Sequence, residues 1–185
     1  MEIFRGYQIQ TGKGADGTTK FIDVPVSYGS KDRVTAAILN NNTQNLPLRL
    51  PTMVANLRGI SLATDRFKGS NTVRKVNYVP RGHIFPDDIT TVVQMAPVPY
   101  MLNLDLIVYT SNIDTHLQLL EQILVLFNPS VQIQLSDSDF DMGSISTVEL
   151  KDVNMEEAFP VGTSRRMTIT TLSFEVIAYL SIPSQ

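Results

Sequence analysis

The stretch from Tyr100 to Pro129 leaves this chain the least freedom. Between Tyr100 and Thr110, Leu102, Leu104, Leu106 and Val108 share one face, while Asn103, Asp105 and Tyr109 share the other with Ile107 among them. Successive side chains of an extended chain point to opposite sides, so this period of two predicts a half-buried strand. The period then changes at once. Over about 112–127, Ile113, Leu117, Leu120, Leu124 and Phe127 fall on one helical stripe, which Leu119, Ile123 and Leu126 widen to about half the cylinder. Ser111 with Asp114 three residues on resembles a capping box, with Asp in the usual Glu position. Asn128-Pro129 stops the helix, because a residue before proline avoids helical angles. The apolar face is broader than one contact with a sheet requires.

Weaker signals surround this core. Residues 2–10 and 20–27 predict two strands, joined through Thr11-Gly12-Lys13-Gly14-Ala15-Asp16-Gly17-Thr18 as a hairpin loop. Pro25 inside the second implies an edge strand or a bulge. Residues 31–39 predict a short helix with Ser30 as N-cap, ended by Asn40-Asn41-Asn42. A strand follows over 52–62. Residues 65–78 are polar and basic, a long loop or an extended arm, and 79–88 are irregular around Pro80, Gly82 and Pro86. Strands are expected at 131–135, 145–153 and 167–180. In the last, Leu172, Phe174, Val176, Ala178 and Leu180 point inward, and Thr171, Ser173 and Glu175 outward. The expected fold is α+β: a mostly antiparallel mixed sheet packed against one long helix (about 112–127) and one short helix (about 31–39), with extended loops or arms, in a single domain over 1–185.

Composition narrows the function. Residues 1–5 lack the plan of a signal peptide, and no run approaches the roughly 20 apolar residues of a membrane helix. With no cysteine among 185 residues, disulfides, thiolate nucleophiles and cysteine-ligated metals are excluded, which favours cytosolic synthesis. A net charge of −3 argues against a dedicated nucleic-acid binder. The distribution of charge is more informative than its sum. Residues 49–81 carry seven basic side chains and one acid, Asp65; residues 82–150 carry no Lys or Arg; residues 137–157 carry seven acids and one cation, Lys151.

Motifs for chemistry fail on inspection. Gly12 and Gly17 have the spacing of a phosphate loop, but Thr18-Thr19 stand where the lysine is required. Asp137, Asp139 and Asp141 open like a calcium loop, yet Met142 and Val148 occupy the positions needing glycine and an acid. His83 and His116 have no partner at metal or triad spacing, so His116 is expected to border the core and His83 to lie in a loop. Asp87-Asp88 and Glu156-Glu157 are adjacent pairs, and neighbours on an extended chain point apart. No catalytic, cofactor or metal residues are assigned. The split charge predicts a head-to-tail protein contact in which Arg66, Lys68, Arg74, Lys75 and Arg81 of one subunit meet Asp137, Asp139, Asp141, Glu156 and Glu157 of the next.

Several segments together carry a resemblance. Val98-Pro99-Tyr100-Met101-Leu102-Asn103-Leu104-Asp105-Leu106 leads into Asn112, then Leu119-Leu120-Glu121-Gln122-Ile123-Leu124, then Phe127-Asn128-Pro129; Leu50-Pro51, Asp65-Arg66 and the closing run from Arg165 to Leu180 fit the same order. Over roughly residues 20–180 the chain resembles the tail sheath stabiliser (tail completion, or tail terminator) proteins of T-even-like contractile phages, though it is shorter than expected of them. The resemblance implies a non-enzymatic, ring-forming subunit, a homo-hexamer, made in the host cytoplasm. Its place would be the head-proximal end of the virion tail, capping tube and sheath and joining the neck. Implied partners are its own copies, the tail tube protein, the tail sheath protein and neck or head-completion proteins, without cofactor, membrane or sequence-specific nucleic acid. A neck adaptor or baseplate protein and a cytosolic small-ligand-binding module are the alternatives.

Overall fold

A computed structural model describes residues 4–13, 18–30, 34, 50–69, 72–78, 90–134, 145–158 and 167–180. In chain order these form β1 (Gln8–Lys13), β2 (Thr19–Asp23), β3 (Val26–Tyr28), β4 (Thr52–Leu62), a 3-10 turn at Thr64–Arg66, β5 (Val73–Tyr78), β6 (Thr90–Met95), β7 (Val98–Thr110), α1 (Ile113–Leu126), β8 (Ser130–Gln134), β9 (Ile145–Ala158) and β10 (Met167–Leu180). Six strands make one sheet in the order β3-β4-β7-β10-β9-β8, and β1–β2 and β5–β6 are separate two-stranded pairs. The β3–β4 pair is parallel and both two-stranded pairs are antiparallel. The α+β class with mixed strand directions is therefore observed, with one described α-helix. The short helix expected over 31–39 lies outside the described residues except for buried Val34.

The chain divides into two compact units. One comprises Met1–Gly59, Asn103–Val131 and Glu149–Glu175, the other Ile60–Leu102, Gln132–Val148 and Val176–Gln185. In the first unit, neighbouring strands β7 and β10 form the core. Leu106, Val108 and Thr110 are buried, and so are Ile107 and Tyr109 of the opposite face. The period-two reading of a half-buried strand therefore fails for the C-terminal half of β7, which is covered on both sides. One side packs against α1: the ring of Phe174 on β10 meets Phe127 at 4.7 Å and Phe4 at 5.4 Å between centroids. The other packs Ile107 and Tyr109 against Val54 and Ile169, with Val34 joining them.

The face that α1 buries is also displaced from the expected stripe. His116, Leu119, Leu120 and Ile123 are buried, whereas Ile113, Leu117, Leu124 and Leu126 are exposed. The cause is a histidine on the core side. His116 Nδ1 lies 2.9 Å from Thr110 Oγ1 and Nε2 lies 2.6 Å from Thr170 Oγ1. A neutral imidazole donates through one nitrogen and accepts through the other, and both hydroxyls can take the matching role. A wholly buried polar ring is tolerated only when it is paired in this way. The N-cap is Asn112 rather than Ser111. Its side-chain oxygen accepts the N–H of Asp114 at 3.0 Å, a local Asn bond that satisfies an otherwise orphaned helix donor. At the other end, Phe127 N–H still reaches Ile123 C=O before Pro129 prevents continuation.

The N-terminal hairpin is present with shifted bounds. Gln8, Ile9 and Gln10 oppose Asp23, Ile22 and Phe21; the register then slips before Lys13 meets Thr19, and Gly12 takes a φ of +130° at the slip. The expected strand over 20–27 is two strands, interrupted at Pro25, whose carbonyl accepts the N–H of Met53. The outer edge of β1 is closed by the helix. Gln122 Oε1 accepts Gln8 N–H at 3.2 Å while Gln122 Nε2 donates to Gln8 C=O at 2.7 Å, and Gln118 Oε1 accepts Gln10 N–H at 3.1 Å. Two side-chain amides one helical turn apart thus supply what a neighbouring strand would.

Two outcomes follow from this packing. Phe174→Ala opens a cavity among three rings and should lower unfolding free energy by about 3–5 kcal/mol in a denaturant titration. Burial pushes the His116 pKa below its ordinary value, so the unfolded chain binds the proton more readily than the folded one. Its contribution to stability is complete above about pH 6.5 and is lost as pH falls below that value. The thermal midpoint should drop between about pH 7.5 and 5.5, and His116→Gln should flatten that slope; an unchanged slope would contradict the assignment.

Candidate interaction surfaces

Among the described residues no three His, Asp or Glu side chains gather as metal ligands, and no helix is long and apolar enough to cross a membrane. His116, the one described histidine, is occupied by two threonine hydroxyls inside the core. Asp137, Asp139, Asp141, Arg81 and His83 lie outside the described residues.

The remaining sequence-predicted site residues occupy two places. Arg66 ends the 3-10 turn, its Nε 3.8 Å from Asp65 Oδ2 with both side chains exposed, and Lys68 is exposed just after it. Arg74 and Lys75 belong to β5, opposite Gln94 and Val93 of β6. These four fall in the second unit. Glu156 and Glu157 fall in the first, near the exposed end of β9. The reading of 65–78 as a loop or an extended arm resolves into a turn followed by one strand of a ribbon.

That ribbon supplies a surface which charge counting did not reveal. Val73 faces Met95, Lys75 faces Val93 and Asn77 faces Thr91 across the pair, and all six are exposed. Thr91 Oγ1 donates to Asn77 Oδ1 at 3.1 Å. Val73, Val93 and Met95 leave more than half of their side-chain surface to solvent. A two-stranded ribbon alone is marginal in water, so exposed aliphatics clustered on one of its faces make that face a candidate interaction surface. Thr90-Thr91-Val92-Val93-Gln94-Met95 does not alternate between apolar and polar residues, so a period of two does not mark β6 in the sequence.

A second feature is a polar strip on the sheet face away from α1. Arg58 Nε on β4 lies 3.4 Å from Asp105 Oδ2 on β7, and Ser173 Oγ on β10 donates to Asp105 Oδ1 at 2.9 Å. Two residues along β10, Glu175 Oε2 lies 3.3 Å from Lys151 Nζ of β9, which also contacts Glu149 Oε2 at 2.9 Å. Hydrogen bonds that Lys151 donates to Glu149 and then to Glu175 hold its pKa above the usual value. Arg58, Asp105, Lys151, Ser173 and Glu175 line a shallow depression of about 400 Å³ with Gly59, Asn103, Leu104 and Phe174. Every one of its charges has an opposite neighbour, so the strip fastens strands to one another and leaves no spare group for acid–base work. A signal did exist: Asp105 sits in an apolar strand inside a 69-residue span without cations, 82–150, so its partner had to come from elsewhere in the chain.

A family model described as the T4-like virus Myoviridae tail sheath stabiliser matches residues 1–185. No curated protein matches the chain.

The strip carries its own test. Asp105 is nearly buried and fixes two partners, so Asp105→Ala should cost about 1–3 kcal/mol of stability. Lys151→Ala removes a solvent-exposed cation and should leave the denaturation midpoint unmoved. Equal losses from both substitutions would mean the strip works as one buried network.

Proposed function

The chain belongs to the tail sheath stabiliser family of T4-like Myoviridae, a structural protein of the contractile phage tail, and on that footing we propose that it works as a ring-forming terminator. In this reading, copies of residues 1–185 close into a hexamer at the head-proximal end of the tail. The ring caps the tube, holds the last layer of sheath and presents its far side to the neck. Its work is assembly, not catalysis, and no cofactor takes part. The observation that carries the reading is the family match over all 185 residues.

The surfaces support it in physical terms. The β5–β6 ribbon, with Val73, Val93 and Met95 exposed, suits insertion into a groove of a tube or sheath subunit. The flank of α1 bearing Ile113, Leu117 and Leu124, also exposed, is apolar surface left over after the helix has packed on its own sheet. A channel that DNA passes through should avoid strong phosphate contacts, so the basic segment around Arg66, Lys68, Arg74, Lys75 and Arg81 faces protein.

Purified protein should appear as closed rings in negative-stain electron microscopy and should sediment with tube and sheath ends, rather than with portal or baseplate. Val93→Asp with Met95→Asp should weaken binding to tail ends while the thermal midpoint stays put. A monomer at high concentration, indifferent to tails, would overturn the proposal. Sedimentation with baseplates or portals alone would favour a baseplate or neck-adaptor role.

A further inference from the structure

The six-stranded sheet ends in strands too short to cover their neighbours. On one side β3 spans three residues, and its register with β4 covers only Met53, Val54 and Ala55 of the eleven residues of β4. Gly29 N–H adds one bond to Ala55 C=O. Beyond it, among the described residues, residues 56–62 have β7 on their inner side and no strand on their outer side. On the opposite side β8 spans five residues against the fourteen of β9. Leu150 N–H donates to Pro129 C=O just before β8 begins, and residues 151–157 of β9 are exposed without a break. Among the described residues, each end of the sheet therefore presents a seven-residue edge, about 23 Å long at ~3.3 Å per residue.

Such rows of backbone N–H and C=O groups are templates for another strand, and proteins that must stay monomeric block them with proline, bulges or lysine. Neither edge contains a proline. The single lysine, Lys151, is tied back to Glu149 and Glu175. The two edges differ in sign. Residues 56–62 carry a single charge, Arg58, and residues 151–157 carry Asp152, Glu156 and Glu157 against Lys151, so the first edge is net positive and the second net negative in formal charge. Pairing β4 with β4, or β9 with β9, would set like charges together, which disfavours a two-fold dimer. Pairing β4 with β9 matches them.

Side-chain phase agrees. The contacts Arg58–Asp105–Ser173 and Glu175–Lys151 put Arg58 and Lys151 on one face of the sheet. The period of two then places Ile60 and Leu62 of β4, and Val153 and Met155 of β9, on that same face. All four are exposed, at 58%, 42%, 39% and 44%. Joining the edges would bring these aliphatic pairs together beneath a continuous backbone ladder, where cross-strand pairs stabilise.

We propose that copies of this chain join head to tail by sheet continuation, the outer edge of β4 beyond Ala55 in one copy lying beside the outer edge of β9 beyond Leu150 in the next. The contact is heterologous, with a different surface used on each side, and such contacts generate rings when the rotation closes. It rests on the ring-forming reading and specifies which surfaces make the ring.

The test uses the full chain with Ile60→Lys on one edge and Val153→Lys on the other, each checked for wild-type circular dichroism and thermal midpoint. Each variant alone should self-associate at least about tenfold more weakly and run as a monomer. An equimolar mixture holds one intact β4 edge and one intact β9 edge, so it should form a dimer that grows no further. If either variant lost its fold, Ser61→Lys and Asn154→Lys, both at exposed positions on the other face, would replace them. Rings of wild-type size from either variant alone, or from the mixture, would overturn the edge contact while the ring reading stands. A wild-type chain that stays monomeric at every concentration would overturn the ring reading itself, and the edge contact with it.

Discussion

Burial of the middle strands on both faces is the constraint on which the rest of the first unit depends. In β7 every residue from Asp105 to Thr110 is buried, and in β10 so is every residue from Met167 to Thr170. A strand covered on one side alternates between oil and water. A strand covered on both must find a partner for each polar side chain it contains. Thr110 and Thr170 meet this requirement by closing on His116. Asp105 meets it by closing on Arg58 and Ser173. The histidine thereby sets the rotation of α1 about its axis: with His116 turned to the sheet, Ile113, Leu117 and Leu124 are carried round to the flank and stay exposed. The apolar surplus of the helix is a consequence of where its one polar core residue had to go.

The same economy explains why the sheet is stable inside and open outside. Central strands gain from both neighbours and both faces. Outer strands are short, and β1, which could have offered another edge, is instead closed by Gln118 and Gln122. The chain thus has a device for sealing a strand edge and uses it on the N-terminal hairpin. On β4 and β9 no such device occurs among the described residues. An edge sealed in one place and left open in two others is consistent with the open ones having a function in assembly.

How much of this could be read from the sequence depended on how local the cause was. The strand over 100–110, the helix over 112–127 and the strand over 167–180 were legible because each has a long, regular period and, for the helix, a proline to end it. The half-buried reading of β7 failed because periodicity reports contrast between faces, and Tyr109 looks polar to such a test although its ring is fully buried. The cap was misplaced by one residue because Ser111 and Asn112 are both good caps, and only the bond to Asp114 N–H decides between them. The split of 20–27 into β2 and β3 follows from Pro25, whose carbonyl partner, Met53, is remote in sequence. For the candidate interface, the charges were legible and the surfaces were not. Arg66, Lys68, Lys75, Glu156 and Glu157 are on the exterior, as composition alone implied. The aliphatics beside them, Val73, Val93, Met95, Ile60 and Val153, look like core residues in any window of sequence, and only the strand pairing shows them facing outward.

The uneven distribution of charge can now be given a structural cause. A chain that had only to stay soluble would gain by mixing its charges, since blocks of one sign repel. Here the cations lie along the segment that includes β4 and the acids along the segment that includes β9, and these two strands stand on opposite sides of the central pair in the sheet order. Inside the sheet the intervening strands carry only the charges they can neutralise at once: Asp105 with Arg58, Glu175 with Lys151. Counted by sequence, β4 then carries one cation, Arg58, and β9 carries Glu149, Asp152, Glu156 and Glu157 against Lys151, so the two strands differ in the sign of their formal charge. Under the proposed head-to-tail contact, edges of like sign repel and edges of opposite sign attract. Selection for one orientation of neighbour would produce that pattern, and selection for solubility alone would not.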